Sequence, residues 1–329
     1  MDSITKFQHI ISEGLEQFCN NLKNQPAELY DPLKYIISLG GKRMRPLLAL
    51  TACDLFDGQL NDATPPALAL ELFHNFSLIH DDIMDNAPMR RNQKSVHEKW
   101  NSNIAIISGD ALLVKAYELI CNSGLQSEVK VKVLQLFNDL ALCVCEGQQL
   151  DMNYEKLSGI SIPQYIKMIE LKTAALLAGG LKMGAVIASA REEDANRMYE
   201  FGKNIGIAFQ LQDDILDVYG AEEKFGKLKG GDIIANKKTF LLLKAIELSK
   251  LNVYKKEELQ QWMYQATEPQ QKVEAITAIF DFLNVRKIAQ EEMLKYYQRG
   301  IDFLKEIPAN EEKKNNLIAL VESLINREV

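Results

Sequence analysis

The sequence predicts an all-α protein built from long helices, and three observations predict it. Proline is absent between Pro88 and Pro163, and again between Pro163 and Pro269, so two long stretches lack the residue that breaks helices. Apolar residues inside those stretches recur with helical period. Leu112, Leu113, Ala116, Leu119 and Ile120 form one series; Val133, Leu134, Phe137, Leu140, Ala141 and Val144 a second; Ile166, Ile169, Leu176, Leu177, Met183 and Ile187 a third. Convincing strand alternation bounded by hairpin turns is absent.

Taken in order, the expected helices span 2–23, 27–39, 46–56, 64–86, 103–122, 127–154, 161–190, 193–219, 237–249, 255–267, 270–305 and 308–327. Pro46 opens the third, behind the Gly40-Gly41 turn. A turn at Pro88 closes the fourth. The three periodic series carry 103–122, 127–154 and 161–190. Gly220 to Lys238 is the one long polar loop with several glycines, and long loops in compact domains are commonly functional. The tail from Phe303-Leu304 to Leu324-Ile325 reads as amphipathic helix without identifiable chemistry. No Ser/Gly linker or shift of composition divides the chain, so a single large helical domain over 1–329 is expected.

Hydrophobic residues make up 47% and charged residues 25%, the balance of an ordinary soluble protein. A net charge of −7 argues against a general nucleic-acid binder. Met1-Asp2-Ser3-Ile4 reads as neither region of a signal peptide. The longest apolar stretch, Ala174 to Ala190, is interrupted by Lys182 and is too short to span a membrane. Five cysteines (Cys19, Cys53, Cys121, Cys143, Cys145) with no CxxC pair suit free thiols in a reducing cytoplasm. The scattered His9, His74, His80 and His97 argue against a histidine metal site.

Two stretches concentrate the chemistry: Asp81-Asp82-Ile83-Met84-Asp85 and Asp213-Asp214-Ile215-Leu216-Asp217. On helices, Asp81 and Asp85 share a face, as do Asp213 and Asp217. Adjacent carboxylates repel, and each stretch follows apolar residues, so something cationic is expected between them. Mg²⁺ takes one or two carboxylates, keeps waters and completes its octahedron with substrate phosphates. Six aspartates therefore point to a phosphorylated ligand bridged by metal. Upstream of Asp213, the same face carries Gln210, Gly206 and Gly202, and helix 161–190 holds Gly179, Gly180 and Gly184. Such small faces either pack closely against other helices or line a cavity.

Cations accompany the acids. Lys42, Arg43 and Arg45 follow a Gly-Gly turn at a helix start, the setting of an anion site. Arg90-Arg91, Lys172, Lys227 and Lys237-Lys238 lie near the aspartates in sequence.

These motifs resemble, in order and through nearly the whole chain, those of the trans-isoprenyl diphosphate synthases (polyprenyl synthetases). Gly40 to Pro46 resembles the family's GGKRxRP, and Leu78 to Arg91 its first aspartate-rich region. Gly147 to Asp151 resembles GQxxD, Lys172-Thr173 the KT pair, and Ala208 to Asp217 the second aspartate-rich region. Phe225-Gly226-Lys227, Gly230-Gly231-Asp232 and Lys237-Lys238-Thr239 resemble the loop that follows.

The resemblance implies a bundle of mostly antiparallel helices around a central active-site cavity, the isoprenoid synthase fold, and a homodimer. It implies that Asp81, Asp82, Asp85, Asp213, Asp214 and Asp217 hold three Mg²⁺ on the diphosphate of an allylic substrate. Arg90, Lys172, Lys227 and Lys237 would contact that diphosphate. Lys42, Arg45, His74 and Arg91 would bind isopentenyl diphosphate. Thr173 and Gln210 would flank a carbocation; Gln148 and Asp151 would support the site, Asp151 as a further oxygen ligand for metal.

Product length in this family often follows the residue five before the first Asp, here Phe76, with Ser77 beside it and Phe73 one turn earlier. A rise of about 1.5 Å per residue puts Phe76 about 7–8 Å from Asp81 along the axis, although Ser77 lies nearer the Asp81 face. An aromatic there, with no insertion between the aspartates, resembles archaeal geranylgeranyl synthases, so C20 is favoured over C15. Alternatives are a longer-chain synthase, a class I terpene cyclase, which normally lacks the second acidic motif, and a non-catalytic partner subunit.

Overall fold

A computed structural model describes residues 3–157, 159–220, 230–264 and 268–325. The helices are α1 (Ser3–Asn21), α2 (Ala27–Ser38), α3 (Met44–Leu55), α4 (Leu60–Met84), α5 (Val96–Lys99), α6 (Ser102–Cys121), α7 (Ser127–Lys156), α8 (Ile162–Ile169), α9 (Ala175–Ile187) and α10 (Glu192–Tyr219). After them come α11 (Gly231–Ile234), α12 (Phe240–Ser249), α13 (Val253–Tyr264), α14 (Pro269–Phe282), α15 (Val285–Lys305) and α16 (Glu311–Ile325). The all-α expectation holds.

Three local departures have physical reasons. A two-stranded hairpin, β1 (Met89–Arg90) and β2 (Gln93–Lys94), follows α4, pairing Met89 with Lys94 and Arg90 with Gln93. Its turn residues Arg91 and Asn92 both have left-handed backbones, φ 52° and 61°. Such turns normally announce themselves as Asn-Gly, and Arg-Asn carries no such signal. The expected helix 270–305 is two helices, because Asn284 at φ 54° turns the chain between α14 and α15. The expected helix 161–190 ends at Ile187 and contains a π-helical turn, Glu170–Ala174, between α8 and α9.

The chain divides into two compact units. The first comprises Met1–Ala141, Leu176–Tyr199 and Glu306–Leu320; the second Leu142–Ala175, Glu200–Lys305 and Val321–Val329. In the first, α4 packs along α6 and α3. Pro66 to Phe73 of α4 are buried without a break, as expected of a helix surrounded by others rather than one with a wet face. Gly184 of α9 lies so close to α3 that a Cβ would stand 2.1 Å from the Ala49 carbonyl oxygen. The small face there serves close helix packing. In the second unit, α12 packs on α8, α14 and α15, and the buried face of α10 is Phe201, Ile205, Ile207, Ala208, Leu211, Ile215 and Val218.

Candidate active site

Both aspartate motifs occupy the last turns of their helices, α4 and α10. A helix C-terminus is the negative end of its dipole, so each carboxylate placed there is disfavoured by about 0.3–1 kcal/mol. Both helix ends call for cations.

In the first unit, Asp81 is half-buried and Asp85 is exposed, whereas Asp82 between them has no exposed surface. Arg90 of β1 makes an ion pair with Asp82, and its Nε donates to Asp82 Oδ1 at 3.1 Å and Oδ2 at 3.2 Å. Burial pushes the Asp82 carboxyl up, and the Arg90 guanidinium opposes that shift. The hairpin thus uses Arg90 to hold the helix end, while its tip aims Arg91 elsewhere. The Arg91 guanidinium lies against Gly41, 2.7 Å from where a Cβ would stand, and Gly41 itself is left-handed at φ 120°.

A cationic cluster forms around that turn. Arg43, also left-handed at φ 49°, donates from Nη1 to buried Glu71 Oε1 at 2.5 Å and bonds the Ile37 carbonyl. Arg45 is half-buried, and its buried Nε has no hydrogen-bond partner among the described residues. Burial pulls its pKa down to about 10, Glu71 pulling the other way and Arg91 adding to the fall. His74 is held well below its ordinary value by burial and then by Arg45, Arg91, Arg90 and Arg43, so it is neutral at pH 7. Lys42 is exposed beside the same turn. Two left-handed arginines in one cluster are local strain of the kind that gathers at functional sites.

Upstream on α4 runs a ladder of rings. Phe76 stacks edge-on with His80 at 4.7 Å between centroids and tilts against Phe73 at 5.4 Å. Phe73 meets Phe137 of α7 at 5.6 Å, and Phe137 meets Tyr117 of α6 at 5.0 Å. Phe73 is fully buried, Phe76 and Ser77 are half-buried, and the Ser77 hydroxyl donates to the His74 carbonyl at 2.9 Å.

In the second unit, Asp213 and Asp217 are half-buried, and Asp214 is again the buried member. Its donors are neutral: the Tyr165 hydroxyl, Gln210 Nε2 at 3.1 Å and the Phe240 amide at 3.3 Å. Burial, and then the charge of Asp232, push its pKa up to about 7 against those hydrogen bonds. Asp217 Oδ2 accepts the Asp232 amide at 3.0 Å and so anchors the start of α11. The π turn presents the KT pair: Lys172 Nζ donates to Asp151 Oδ2 at 2.6 Å, and Thr173 Oγ1 to Gln210 Oε1 at 3.1 Å. Gln148 is half-buried three residues before Asp151, and Lys237 is exposed between α11 and α12. Lys227, Phe225 and Gly226 lie outside the described residues.

Two contributors escaped sequence reasoning. Glu71, which anchors Arg43, is a lone acid inside the apolar run Ala67 to Phe73, and an isolated charge in such a run is a usable signal. Tyr165, which holds Asp214, is one aromatic on an amphipathic helix and gives no signal.

Among the described residues no three carboxylate, imidazole or thiol side chains gather into a complete metal cage. Paired hard-oxygen donors at Asp81/Asp85 and at Asp213/Asp217 fit Mg²⁺, which prefers few carboxylates and takes phosphate oxygens for the rest. A helical scaffold, an acidic helix end in each unit and an arginine cluster with one unsatisfied guanidinium nitrogen suit diphosphate ligands. Comparison with known proteins narrows this: the polyprenyl synthetase family model matches residues 26–280. A geranylgeranyl diphosphate synthase of Methanosarcina mazei is 34% identical over 92% of this chain and 91% of its own. A crystal structure of a geranylgeranyl pyrophosphate synthase superposes with a TM-score of 0.93 at 38% identity, covering 100% of both chains. A geranylgeranyl pyrophosphate synthase of Corynebacterium glutamicum, solved with isoprenyl diphosphate and magnesium, superposes at 0.87 with 26% identity over 100% of both chains. The chain belongs to the polyprenyl synthetase family.

Proposed function

We propose that this chain is a short-chain all-trans prenyl diphosphate synthase, residues 1–329 acting as one catalytic domain. It joins isopentenyl diphosphate to an allylic diphosphate (dimethylallyl, geranyl or farnesyl), with C20 geranylgeranyl diphosphate favoured over C15. The observation that carries this reading is the unsatisfied Arg45 Nε, set among Arg43, Arg91 and a neutral His74. A buried guanidinium nitrogen without a partner is costly, and a diphosphate oxygen would satisfy it. That gives the enzyme a second anion site beside the metal-dependent one, which a cyclase does not need.

In this reading Lys42, Arg45, His74 and Arg91 bind isopentenyl diphosphate. Arg90, Lys172, Lys227 and Lys237 contact the allylic diphosphate. Asp81, Asp82, Asp85, Asp213, Asp214 and Asp217 would hold Mg²⁺, which would supply positive charge to the leaving diphosphate. The buried Asp82 and Asp214 also fix their helix ends, through Arg90 and through Tyr165. The allylic C–O bond breaks with its electron pair going to diphosphate, and fixed lysine and arginine charges matter most when that charge is fully developed. Thr173 and Gln210 present oxygen dipoles to the cation, with Gln148 and Asp151 holding the surroundings, while apolar walls keep out water. The isopentenyl double bond attacks the cation, and a proton then leaves to the departed diphosphate. Phe76, with Phe73 behind it and Ser77 beside it, limits chain growth.

The same proposal includes a cytoplasmic homodimer. Five free thiols suit a reducing compartment, and Ile107 and Val114, seven apart on α6, are 59% and 65% exposed apolar side chains. Light scattering tests the dimer. For the activity, the protein is incubated with Mg²⁺, isopentenyl diphosphate and each allylic primer. Chain-extended diphosphate is the expected product; a hydrocarbon indicates a cyclase, and no turnover a non-catalytic subunit.

A further inference from the structure

The π turn Glu170–Ala174 is seated between glycines of two helices, one against its middle and one against its last residue. On one side stands Gly147 of α7. A Cβ there would be 2.3 Å from the Lys172 nitrogen, 2.6 Å from its Cα and 2.8 Å from the Leu171 carbonyl carbon. These are all backbone atoms, so no side-chain rotation makes room. On the other side stands Gly206 of α10, where a Cβ would be 2.6 Å from both Cα and Cβ of Ala174. One turn beyond each glycine, on the same helix face, is a polar partner for the turn. Asp151 follows Gly147 by four and accepts from Lys172; Gln210 follows Gly206 by four and accepts from Thr173.

π turns are rare, insert one extra residue into a helix and persist where surroundings impose them. Here the imposition is visible: one helix backbone presses on Leu171–Lys172 and another on Ala174, and two polar ties hold the Lys172 and Thr173 side chains. Packing alone would be served by one close contact and would not call for a polar partner at the same spacing on both helices.

We infer that Gly147 and Gly206 are positioning residues, each forming with its polar partner a seat and a tie that hold the π turn and aim Lys172 and Thr173. The kinetic part of this inference rests on the prenyl-transfer reading; the structural part does not. The two are therefore tested by separate readouts on the full-length protein.

The first readout is amide hydrogen exchange of peptides covering 170–174 in Gly147→Ala, Gly206→Ala and Gly300→Ala. Gly300 of α15 is the control. Its Cβ would meet the Phe201 carbonyl oxygen and Ile205 at 3.2 Å, a helix contact with no π turn. Both test variants should lose protection at 170–174 by on the order of tenfold or more, and the control should not. The second readout is steady-state kinetics. The test variants should lose kcat on the order of 10–100-fold with KM changed less than about threefold, the pattern of misplaced groups. Gly206→Ala should cost little further in a Thr173→Ala background, because both changes disable the same group. Wild-type exchange together with wild-type kcat in folded Gly206→Ala overturns the inference, as does a fully additive cycle with Thr173→Ala. If an alanine variant does not fold, Asp151→Asn removes a tie without adding volume. Its kcat loss should vanish in a Lys172→Ala background, and persistence there overturns the inference. A wild-type protein that makes no chain-extended product sinks the prenyl-transfer reading, while the exchange result still decides the seat.

Discussion

The two acidic helix ends have the same five-residue pattern and the same inside-out arrangement, yet they are stabilised by different chemistry. At α4, the buried Asp82 is held by a guanidinium. At α10, the buried Asp214 is held by a phenol, an amide and a backbone N–H. Burial raises both carboxyls, but at Asp82 a cation opposes the rise, whereas at Asp214 only neutral hydrogen bonds oppose burial and the charge of Asp232, and the pKa reaches about 7. Identical motifs therefore make different electrostatic objects, and the difference is set by residues outside the motif, Arg90 on a hairpin and Tyr165 on a separate helix.

The sharpest way to break that comparison is to remove one support at a time. Arg90→Ala leaves a fully buried carboxylate without its charge partner and should cost about 3–5 kcal/mol in urea unfolding. Tyr165→Phe removes one neutral donor of three and should cost about 1–3 kcal/mol. Adding Asp82→Asn to Arg90→Ala should recover a large part of the loss, because it removes the stranded charge. Equal costs for the two single variants, or no recovery in the double, would show that the two buried aspartates are held alike.

The helices also differ upstream of their acids. The α4 helix carries Phe76 and Phe73, the latter backed by Phe137 of α7, while α10 carries Gly206 pressed on Ala174. Bulk that limits growth is expected only on α4. Phe76→Ala should lengthen the product by one or two isoprene units on chromatographic sizing, with Phe73 becoming the next limit. An unchanged product length removes Phe76 from that role and moves the search to Ser77, whose position nearer the Asp81 face a helical wheel already favours.

How far these features are legible in the sequence follows from what each depends on. Long helices are readable because periodicity and missing proline act locally. Six aspartates, the arginine-rich turn and the KT pair are readable because a charge set in an apolar run is costly unless it pairs or binds something. The hairpin is not, because Arg91 and Asn92 adopt left-handed backbones without glycine. The π turn is not either. Nothing in Glu-Leu-Lys-Thr-Ala asks for an extra residue, and its cause lies in Gly147 and Gly206, on two other helices far away along the chain. As a small residue on a helix face, Gly206 is compatible with close packing or with a cavity, and the contact with Ala174 decides for packing.

The smallest effect tests the cationic cluster around Arg45 and His74. His74 is held neutral by burial and four arginines, so its folded pKa lies below the unfolded value of about 6.5. Between those two values the unfolded chain binds more protons than the folded one, so stability falls as pH falls below about 6.5. His74→Gln removes this group. The wild type should therefore lose more thermal stability than the variant between about pH 7.5 and about pH 5, by a few degrees. Added pyrophosphate should shrink the difference, because an anion among Arg45, Arg91 and Arg43 relieves the field that depresses His74. Parallel stability curves for the two proteins would mean that neither burial nor the arginines depress His74.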